Sequence, residues 1–350
     1  MPAMPEPNYR PRPPVRTDLN VGLIGCGGIA HAHAQAYQRM RVPVVACTDL
    51  VQERAQEFAA QYGVRLVVAT YHDLVALPQV DLVDICMGPT GRLEIVEAAT
   101  AAGKHVILEK PFSHSYQEAV HMVQAAEQAG VKLAVSQNSR WTPHYRAATD
   151  LIRKGVIGEV FQMLLVMYGS QERHLGGFYQ TVDDFMLVEW ASHHFDIMRQ
   201  WAGRAPQKVS AQLDRVPGQR FRSPMAVSAL LDFGDPLHAV LQHTEAAGSD
   251  LGENLVRIQG TQGAIRGRDP FEVCMAPARD TWQRLELEAD GWGDAMFGSL
   301  AEFINAIADD REPEHSGRDN LDTVRTCLAA VRSAAENGRP VTLDEVGALP

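Results

Sequence analysis

The sequence predicts an α/β protein of two domains, a doubly wound parallel sheet followed by an α/β domain with a mainly antiparallel sheet. Between residues 20 and 139, short apolar runs alternate with helical stretches, which is typical of βαβ units. After residue 140, strands follow one another with few helices between them, which indicates antiparallel pairing. The length of 350 residues suits about two domains.

In the first domain, the predicted strands are apolar on both faces, as buried parallel strands are. They lie at residues 20–25, 42–49, 65–70, 80–87, 105–110 and 132–137. The predicted helices lie between them, at residues 29–40, 52–61, 93–102 and 116–129. Glycines that suit a helix C-terminus follow three of these helices, at positions 63, 103 and 130.

In the second domain, a strand at 159–168 precedes a helix at 185–201. Further strands are predicted at 207–214, 224–233, 237–245, 254–259, 263–266 and 284–289, and two helices at 294–309 and 319–337. We therefore divide the chain into an arm (1–19), a nucleotide-binding domain (20–139) and a substrate-binding and oligomerisation domain (140–350).

The composition excludes several classes of partner. With 32 basic and 43 acidic residues, the net charge of −11 disfavours nucleic acid and anionic membranes. The five cysteines form no C-x-x-C pair, which indicates thiols in a reducing compartment. The N-terminus lacks the apolar core of a secretory signal, and no apolar run reaches membrane-spanning length. We therefore predict a cytoplasmic protein.

Six prolines among the first twenty residues predict an extended arm without secondary structure. The favoured interpretation is a loose tail, because chain termini are usually poorly ordered. The alternative is an arm that lies on a neighbouring subunit.

The segment Gly25-Cys26-Gly27-Gly28-Ile29-Ala30 has the pattern G-x-G-x-x-A directly after the first predicted strand. The first glycine permits a tight turn, the second lets the backbone approach a pyrophosphate, and Ala30 lets the helix pack closely. The N-terminus of the following helix offers free N–H groups to phosphates. This loop is therefore predicted to bind a dinucleotide.

Asp49 ends the second predicted strand, about twenty residues after Gly28, where an acidic side chain accepts hydrogen bonds from the ribose of NAD. A carboxylate there repels a 2′-phosphate, and the next residue, Leu50, is not basic. We therefore predict NAD rather than NADP. The motif leaves open FAD, S-adenosylmethionine or no nucleotide.

Glu109-Lys110-Pro111 ends the fifth predicted strand. Ligands of open α/β sheets bind beyond the carboxyl ends of the strands, so the Lys110 ammonium is expected to point into that crevice. The alternative is a solvated lysine at a strand end.

In the predicted helix 185–201, Glu189, His193 and Asp196 share one face, whereas His194 lies on a mainly apolar face. A histidine between carboxylates can act as a general base near neutral pH. The alternatives are a surface charge cluster or a metal site. We predict no metal, because no paired cysteines or H-E-x-x-H motif supply further ligands.

Together these pieces resemble the Gfo/Idh/MocA oxidoreductase family, from about residue 19 to about residue 343. The resemblance rests on the order and spacing of "GLIGCGGIAHAHAQAY", "AAGKHVILEKPF", "QNSRWTPHYRAATDLIRKGVIGEV", "ASHHFDIMRQW" and "GRDNLDTVRTCLAAVRSAAENGRPVTL". It implies an N-terminal Rossmann domain that holds the nicotinamide nucleotide. It also implies a C-terminal α/β domain with an open, mainly antiparallel sheet that covers the substrate and builds homodimers or homotetramers.

The resemblance further implies roles for three residues beside the nicotinamide. Lys110 matches the E-K-P lysine of the family and His193 the histidine of its D-x-x-x-H pair. Glu189 stands at the position of the aspartate, which is a departure that shifts the carboxylate. A second departure is Leu93, where the family often has the histidine of P-N-x-x-H. The remaining implied cofactor contacts are Pro89, Thr90 and Glu109, and the Lys110–Pro111 bond is expected to be cis.

These observations predict an NAD-dependent dehydrogenase for a secondary alcohol of a sugar, sugar derivative or cyclitol. The alternatives are an NAD-dependent glycosidase or lyase with transient redox cycling, and a non-catalytic nucleotide-binding sensor or scaffold. Polar and aromatic residues suit a polyhydroxylated substrate. Besides Lys110 and His193, the candidates are Arg140, Trp141, Glu172, Arg173 and His174, for each of which a packing or surface role is the alternative.

Overall fold

The computed structural model describes residues 4–170, 172, 176–247, 255–288 and 290–349. The chain forms two compact units. The parallel-sheet unit comprises Arg10–Thr142 and Ala289–Leu321, and the mixed-sheet unit comprises Met1–Tyr9, Pro143–Glu288 and Asp322–Pro350. Among the described residues, none of the helices combines the length and the apolar character needed to cross a membrane.

The parallel-sheet unit contains a six-stranded parallel sheet in the order β3-β2-β1-β4-β5-β6. This order confirms the predicted doubly wound sheet. The order in which successive strands are added reverses between β1 and β4, and such sheets bind ligands at this point. The strands are β1 (Val21–Ile24), β2 (Val44–Thr48), β3 (Leu66–Val67), β4 (Leu82–Ile85), β5 (His105–Glu109) and β6 (Leu133–Ser136).

Five helices connect these strands: α1 (Gly28–Met40), α2 (Gln52–Tyr62), α3 (Tyr71–Val75), α4 (Arg92–Ala101) and α5 (Tyr116–Ala129). Helix α3 is absent from the sequence prediction because it has only five residues. It forms because Thr70 and Asp73 cap its N-terminus reciprocally, each side chain bonding the backbone N–H of the other at 3.1 Å.

The mixed-sheet unit contains a nine-stranded sheet in the order β14-β13-β12-β11-β7-β10-β9-β8-β15. Among the strands of this sheet in the described residues, only the β7–β10 pair is parallel, which confirms the mainly antiparallel sheet. In chain order after residue 142, irrespective of the unit to which each belongs, the helices and strands are α6 (Pro143–Arg153), β7 (Val160–Tyr168), α7 (Ala191–Ala202), β8 (Lys208–Asp214), β9 (Ala226–Asp232), β10 (His238–Thr244), β11 (Leu255–Gly260), β12 (Gly263–Arg266), β13 (Phe271–Met275), β14 (Ala278–Leu285), α8 (Gly291–Ala308), α9 (Gly317–Ala335) and β15 (Val341–Thr342).

Two predictions for the second half differ from the structure. The strand predicted at 284–289 instead ends at Leu285 as β14 (Ala278–Leu285), which pairs with an unpredicted strand, β13, in a hairpin. The helix predicted at 185–201 begins with one π-helical turn, Met186–Trp190, and continues as α7.

Helix α8 belongs to the parallel-sheet unit, which therefore extends beyond the range 20–139. Its residues Met296, Leu300 and Ile304 are buried in one cluster with Val21 of β1 and Leu82 of β4. The apolar character of α8 thus reflects a place in the core of this unit.

The described part of the arm forms no helix or strand, as predicted, but it is not a loose tail. In the mixed-sheet unit Tyr9 is buried in the core, and the Asn8 backbone N–H donates to Asp150 Oδ2 at 2.9 Å. In the parallel-sheet unit the Val15 backbone N–H donates to Asn305 Oδ1 at 2.8 Å. The arm therefore binds its own chain, which proline favours because it restricts the unfolded backbone.

Candidate functional site

The glycine loop lies between β1 and α1, and Gly25 is required there by its backbone. Its φ is +88°, and a Cβ atom at this position would lie 2.7 Å from the Cys86 carbonyl oxygen. Its N–H donates to the Thr48 carbonyl at 2.9 Å. The tight turn predicted for this position therefore fits closely against the end of β4.

Gly27 and Gly28 have a different environment, because a Cβ atom on either would meet no other atom within 4 Å. Gly27 also has an ordinary φ of −79°, and no side chain caps the N-terminus of α1 that follows it. Open space above glycines, next to uncapped helix N–H groups, fits a bound pyrophosphate. Ala30 is fully buried against β1, as close helix–strand packing requires, and Ile29 packs beside it.

The Asp49 carboxylate follows β2 and is tied to the glycine loop. Its Oδ2 accepts from the Cys26 backbone N–H at 2.7 Å, and its Oδ1 accepts from the Val51 N–H at 2.8 Å. Arg54, whose side chain is half exposed, pairs with it at 3.2 Å. Asp49 thus supports the glycine loop, while its contact with the ribose of a dinucleotide stays a prediction.

Glu109 and Lys110 lie at the end of β5, at the carboxyl edge of the sheet that also bears the glycine loop. A buried arginine that was not predicted from the sequence holds the backbone of this segment. Arg92, 1% exposed at the start of α4, donates to the backbone carbonyls of Met87, Glu109 and Pro111. The Lys110–Pro111 bond is cis, as the resemblance implies. Arg92 therefore joins the chain after β4 to the segment that bears Lys110.

Pro89 and Thr90 lie in the loop between β4 and α4, the first buried and the second exposed. Leu93, at the position of the family's histidine, is partly buried beside Arg92. Pro89 and Thr90 thus lie at the carboxyl edge of the sheet, and their contact with a cofactor remains a prediction.

Glu109 does not point to solvent but into the unit, where it meets His33 of α1. The Glu109 Oε1 lies 2.9 Å from His33 Nε2, and Asp84 Oδ2 lies 2.7 Å from His33 Nδ1. The Tyr37 hydroxyl donates to the same Asp84 oxygen at 2.9 Å. This buried cluster was not predicted from the sequence.

His33, Asp84 and Cys86 offer possible metal-ligand atoms within 4.8 Å of one another. Their proximity already has an explanation, because carboxylate oxygens face both ring nitrogens of His33 and the Cys86 thiol lies 3.4 Å from Asp84 Oδ1. We therefore treat the cluster as a hydrogen-bonded one.

In the mixed-sheet unit, the predicted constellation of Glu189, His193 and Asp196 divides in two. His193 is partly exposed near the start of α7, and Glu189 is 2% exposed in the π-helical turn. Asp196 is 1% exposed and accepts from the Thr323 hydroxyl of α9 at 2.9 Å. Asp196 thus holds α7 to α9, which leaves Glu189 as the candidate partner of His193.

His194 lies on the other side of α7, as predicted, and is buried against the His243 ring at 4.9 Å between centroids. The pKa of His194 lies well below its ordinary value, mainly because the ring is buried and also because His243 is its neighbour. His194 is therefore a neutral core residue.

Three further substrate candidates have structural contacts. Arg140 is 2% exposed and pairs with Asp319, and Trp141 is 3% exposed. The Glu172 carboxylate accepts from the backbone N–H groups of residues 220 and 221. A substrate role for these three remains a prediction. The other two candidates, Arg173 and His174, lie outside the described residues.

Comparisons with known proteins agree with this arrangement. Residues 19–137 match the family model described as "Oxidoreductase family, NAD-binding Rossmann fold", and residues 145–266 match the "GFO/IDH/MocA C-terminal domain". D-apiose dehydrogenase of Paraburkholderia graminis is 28% identical over 342 residues, which are 93% of this chain and 90% of that protein. Inositol 2-dehydrogenase of Rhizobium meliloti is 26% identical over 327 residues, 91% and 97% of the two chains.

The fold is also similar to the crystal structure of an oxidoreductase from Agrobacterium radiobacter in complex with NAD⁺, L-tartaric acid and magnesium. The TM-score is 0.83 at 26% identity, with 94% of this chain and 99% of that chain covered. The match of the parallel-sheet unit to the first of the two family models identifies an oxidoreductase with an NAD-binding Rossmann domain. This chain belongs to the Gfo/Idh/MocA family, since the models of both its domains match in order.

Proposed function

We propose that the protein is an NAD-dependent dehydrogenase that transfers a hydride between the nicotinamide and a secondary alcohol of a sugar, sugar derivative or cyclitol. The observation that carries this proposal is the open space above Gly27 and Gly28 at the same sheet edge as Lys110. The names of the relatives, which act on apiose and inositol, support the substrate class.

The cofactor-binding residues are those of the glycine loop and the sheet edge. The N–H groups at the start of α1 would bind the pyrophosphate, and Asp49 would bind the adenosine ribose. Pro89, Thr90 and the Glu109–Lys110 step would flank the nicotinamide. NAD, when bound, supplies the hydride acceptor for the substrate carbon.

The chain itself supplies the acid–base chemistry. His193 accepts the proton of the substrate hydroxyl at an imidazole nitrogen during oxidation, and returns it during reduction. Lys110 donates a hydrogen bond to the same oxygen and stabilises its developing negative charge. Glu189, buried two residues before the start of α7, orients the imidazole or raises its basicity.

The first test is a titration of the protein with NADH and with NADPH, in which energy transfer from its five tryptophans to the nucleotide reports binding. We expect much tighter binding of NADH. A screen of sugars and polyols with NAD then identifies the substrate by the NADH formed. If neither nucleotide binds, the dinucleotide loop and the dehydrogenase are both wrong.

The screen also separates the alternative activities. A glycosidase or lyase with transient redox cycling would convert its substrate without net NADH and would retain its nucleotide on purification. A sensor or scaffold would bind the nucleotide but convert none of the compounds. Net NADH from a polyol therefore identifies the dehydrogenase.

The Lys110→Met variant tests the role of the lysine. We expect turnover to fall by at least the factor of about 10² that a single electrostatic donor contributes, because the oxygen loses its cation. NADH binding should change little. Full turnover in Lys110→Met would remove Lys110 from the mechanism.

We further propose that the protein works in the cytoplasm as a homodimer or homotetramer, without nucleic acid or membrane partners. All five cysteines are free and buried, which suits a reducing compartment. On the nine-stranded sheet, Leu230 and Val240 are neighbours in register and are 43% and 37% exposed, which suits a subunit interface. Light scattering in solution measures the number of subunits.

A further inference from the structure

The His33 imidazole lies between two carboxylates inside the parallel-sheet unit. Its Nδ1 is 2.7 Å from Asp84 Oδ2 and its Nε2 is 2.9 Å from Glu109 Oε1. The exposed fractions of His33, Asp84 and Glu109 are 0%, 0% and 6%. An ionised carboxylate only accepts hydrogen bonds, so with Asp84 and Glu109 both ionised the two ring nitrogens both donate and His33 is an imidazolium.

The electrostatics of the cluster support this charge state. Burial would lower the pKa of His33, but the Asp84 charge and hydrogen bond raise it well above the ordinary value. Burial would raise the pKa of Glu109, but the hydrogen bond and charge of His33 lower it, with help from Lys110 and Arg92. Both shifts favour the ionised forms of His33 and Glu109.

His33 also connects the two parts of the candidate site. It lies on α1, whose first turn forms the glycine loop, and Glu109 directly precedes Lys110 at the end of β5. His33 of α1 contacts the Glu109 side chain and Arg92 of α4 binds the Glu109 backbone carbonyl, and Lys110 is the next residue along the chain. The position of Lys110 thus depends on the contact between α1 and β5.

We propose that His33 is a positioning residue, which holds Glu109 and thereby fixes Lys110 relative to the dinucleotide loop. This inference rests on the proposed function, because it assigns Lys110 to the reaction. Fold stability alone does not require the cluster, since well-packed apolar residues often replace buried ion pairs without loss. A buried ion pair that includes the residue directly before Lys110, a candidate catalytic residue, therefore points to a role in positioning.

The first experiment compares His33→Gln with His31→Gln, the same substitution two residues earlier on α1. His31 contacts the Tyr62 hydroxyl at 3.0 Å, away from Glu109. We expect kcat of His33→Gln to fall about 10- to 100-fold, the effect of a small misplacement of a reacting group. NADH affinity and KM should change less than threefold, and His31→Gln should retain wild-type kcat.

The pH dependence distinguishes positioning from a general loss of structure. Without the imidazolium, burial should raise the pKa of Glu109, so that this carboxyl takes up a proton as the pH falls from 8 to 6. The other titratable and charged side chains around the cluster, which are Asp84, Tyr37, Cys86, Arg92 and Lys110, are present in both variants. The ratio of wild-type to His33→Gln kcat should therefore rise toward low pH, whereas for His33→Gln/Glu109→Gln it should stay constant. A ratio independent of pH in the single variant would contradict the proposal.

A measurement independent of turnover uses protein with ¹⁵N-labelled histidines, with the His33 signal assigned by sequential correlation in the wild-type protein. We expect both His33 nitrogens to be protonated at pH 7, and both NADH and Lys110→Met to shift their resonances. A neutral His33, or one that responds to neither change, overturns the proposal even if the variant fails to fold. If the wild-type protein oxidises no polyol, the proposed function fails, while these resonances still decide whether His33 joins the loop to Lys110.

Discussion

At the scale of single residues, His193 carries the most direct prediction about chemistry. We expect His193→Asn to lower kcat by about 10² to 10⁴, the contribution of a general acid–base, without weakening NADH binding. Steady-state kinetics with the polyol found in the screen measures this loss. His238→Asn is the control, because His238 of β10 is 45% exposed and should keep full activity. Equal activity in both variants would falsify the assignment of the base.

Asp49 requires a more careful substitution than its predicted role alone suggests. Because its carboxylate also accepts from the Cys26 and Val51 N–H groups, Asp49→Ala should disturb the loop and weaken both nucleotides. Asp49→Asn retains an acceptor oxygen but removes the charge that repels a 2′-phosphate. We expect this variant to weaken NADH more than NADPH in the fluorescence titration. Equal weakening would show that Asp49 does not select the cofactor.

The residues that sequence reasoning missed have a common physical reason. His33 lies in the alanine-rich start of α1 on the same stripe as Ala30 and Tyr37, and Asp84 lies inside an otherwise apolar strand. A charged residue at a buried position requires a partner, which was the available signal. The partner's identity depends on which strands are neighbours, and no local pattern contains that information.

At the scale of elements, the glycine loop combines two kinds of glycine, and alanine substitutions separate them. Gly25→Ala should lower the free energy of unfolding by about 1 to 3 kcal/mol, because of its positive φ and the Cys86 carbonyl at 2.7 Å. Gly27→Ala should leave stability nearly unchanged, since its Cβ meets open space, yet weaken NADH roughly tenfold or about 1.4 kcal/mol. Urea unfolding and NADH titration of both variants measure this contrast. Similar profiles for the two variants would contradict it.

The sequence predicted the strands of the parallel sheet to within a few residues, because buried parallel strands are continuous apolar runs with clear boundaries. It failed where a side chain or a partner strand decides the structure. The Met186–Trp190 turn is π-helical although its residues suit an α-helix, and β14 forms only by pairing with β13. The strand β14 therefore depends on the neighbouring strand of its hairpin, which the residues of β14 alone do not indicate.

At the scale of the whole molecule, buried histidines should make the protein sensitive to acid. Burial lowers the pKa of His243 and of His315 to about 3. Above pH 6.5 these groups are neutral in both states, but below it the unfolded chain takes up protons that the folded chain does not. Each group should therefore cost about 1.4 kcal/mol per pH unit as the pH falls from about 6 toward 3.

Urea unfolding at pH 7, 6 and 5 tests this dependence, with His315→Phe as the variant. This substitution removes one buried titrating group, so the slope of stability against pH should decrease by about one proton. His72→Gln, at an exposed position, is the control and should leave the slope unchanged. An unchanged slope in His315→Phe would contradict the assignment.

The return of the chain to the parallel-sheet unit through α8 has a consequence for biosynthesis. The ribosome completes all six strands of this unit before it has made the helix that covers them. Until residues 291–308 emerge, Val21, Leu82 and their apolar neighbours lack the partners that bury them in the finished protein. The nascent chain therefore exposes an apolar surface that a chaperone can cover. A truncated protein that ends at residue 142 should aggregate, because it never makes α8.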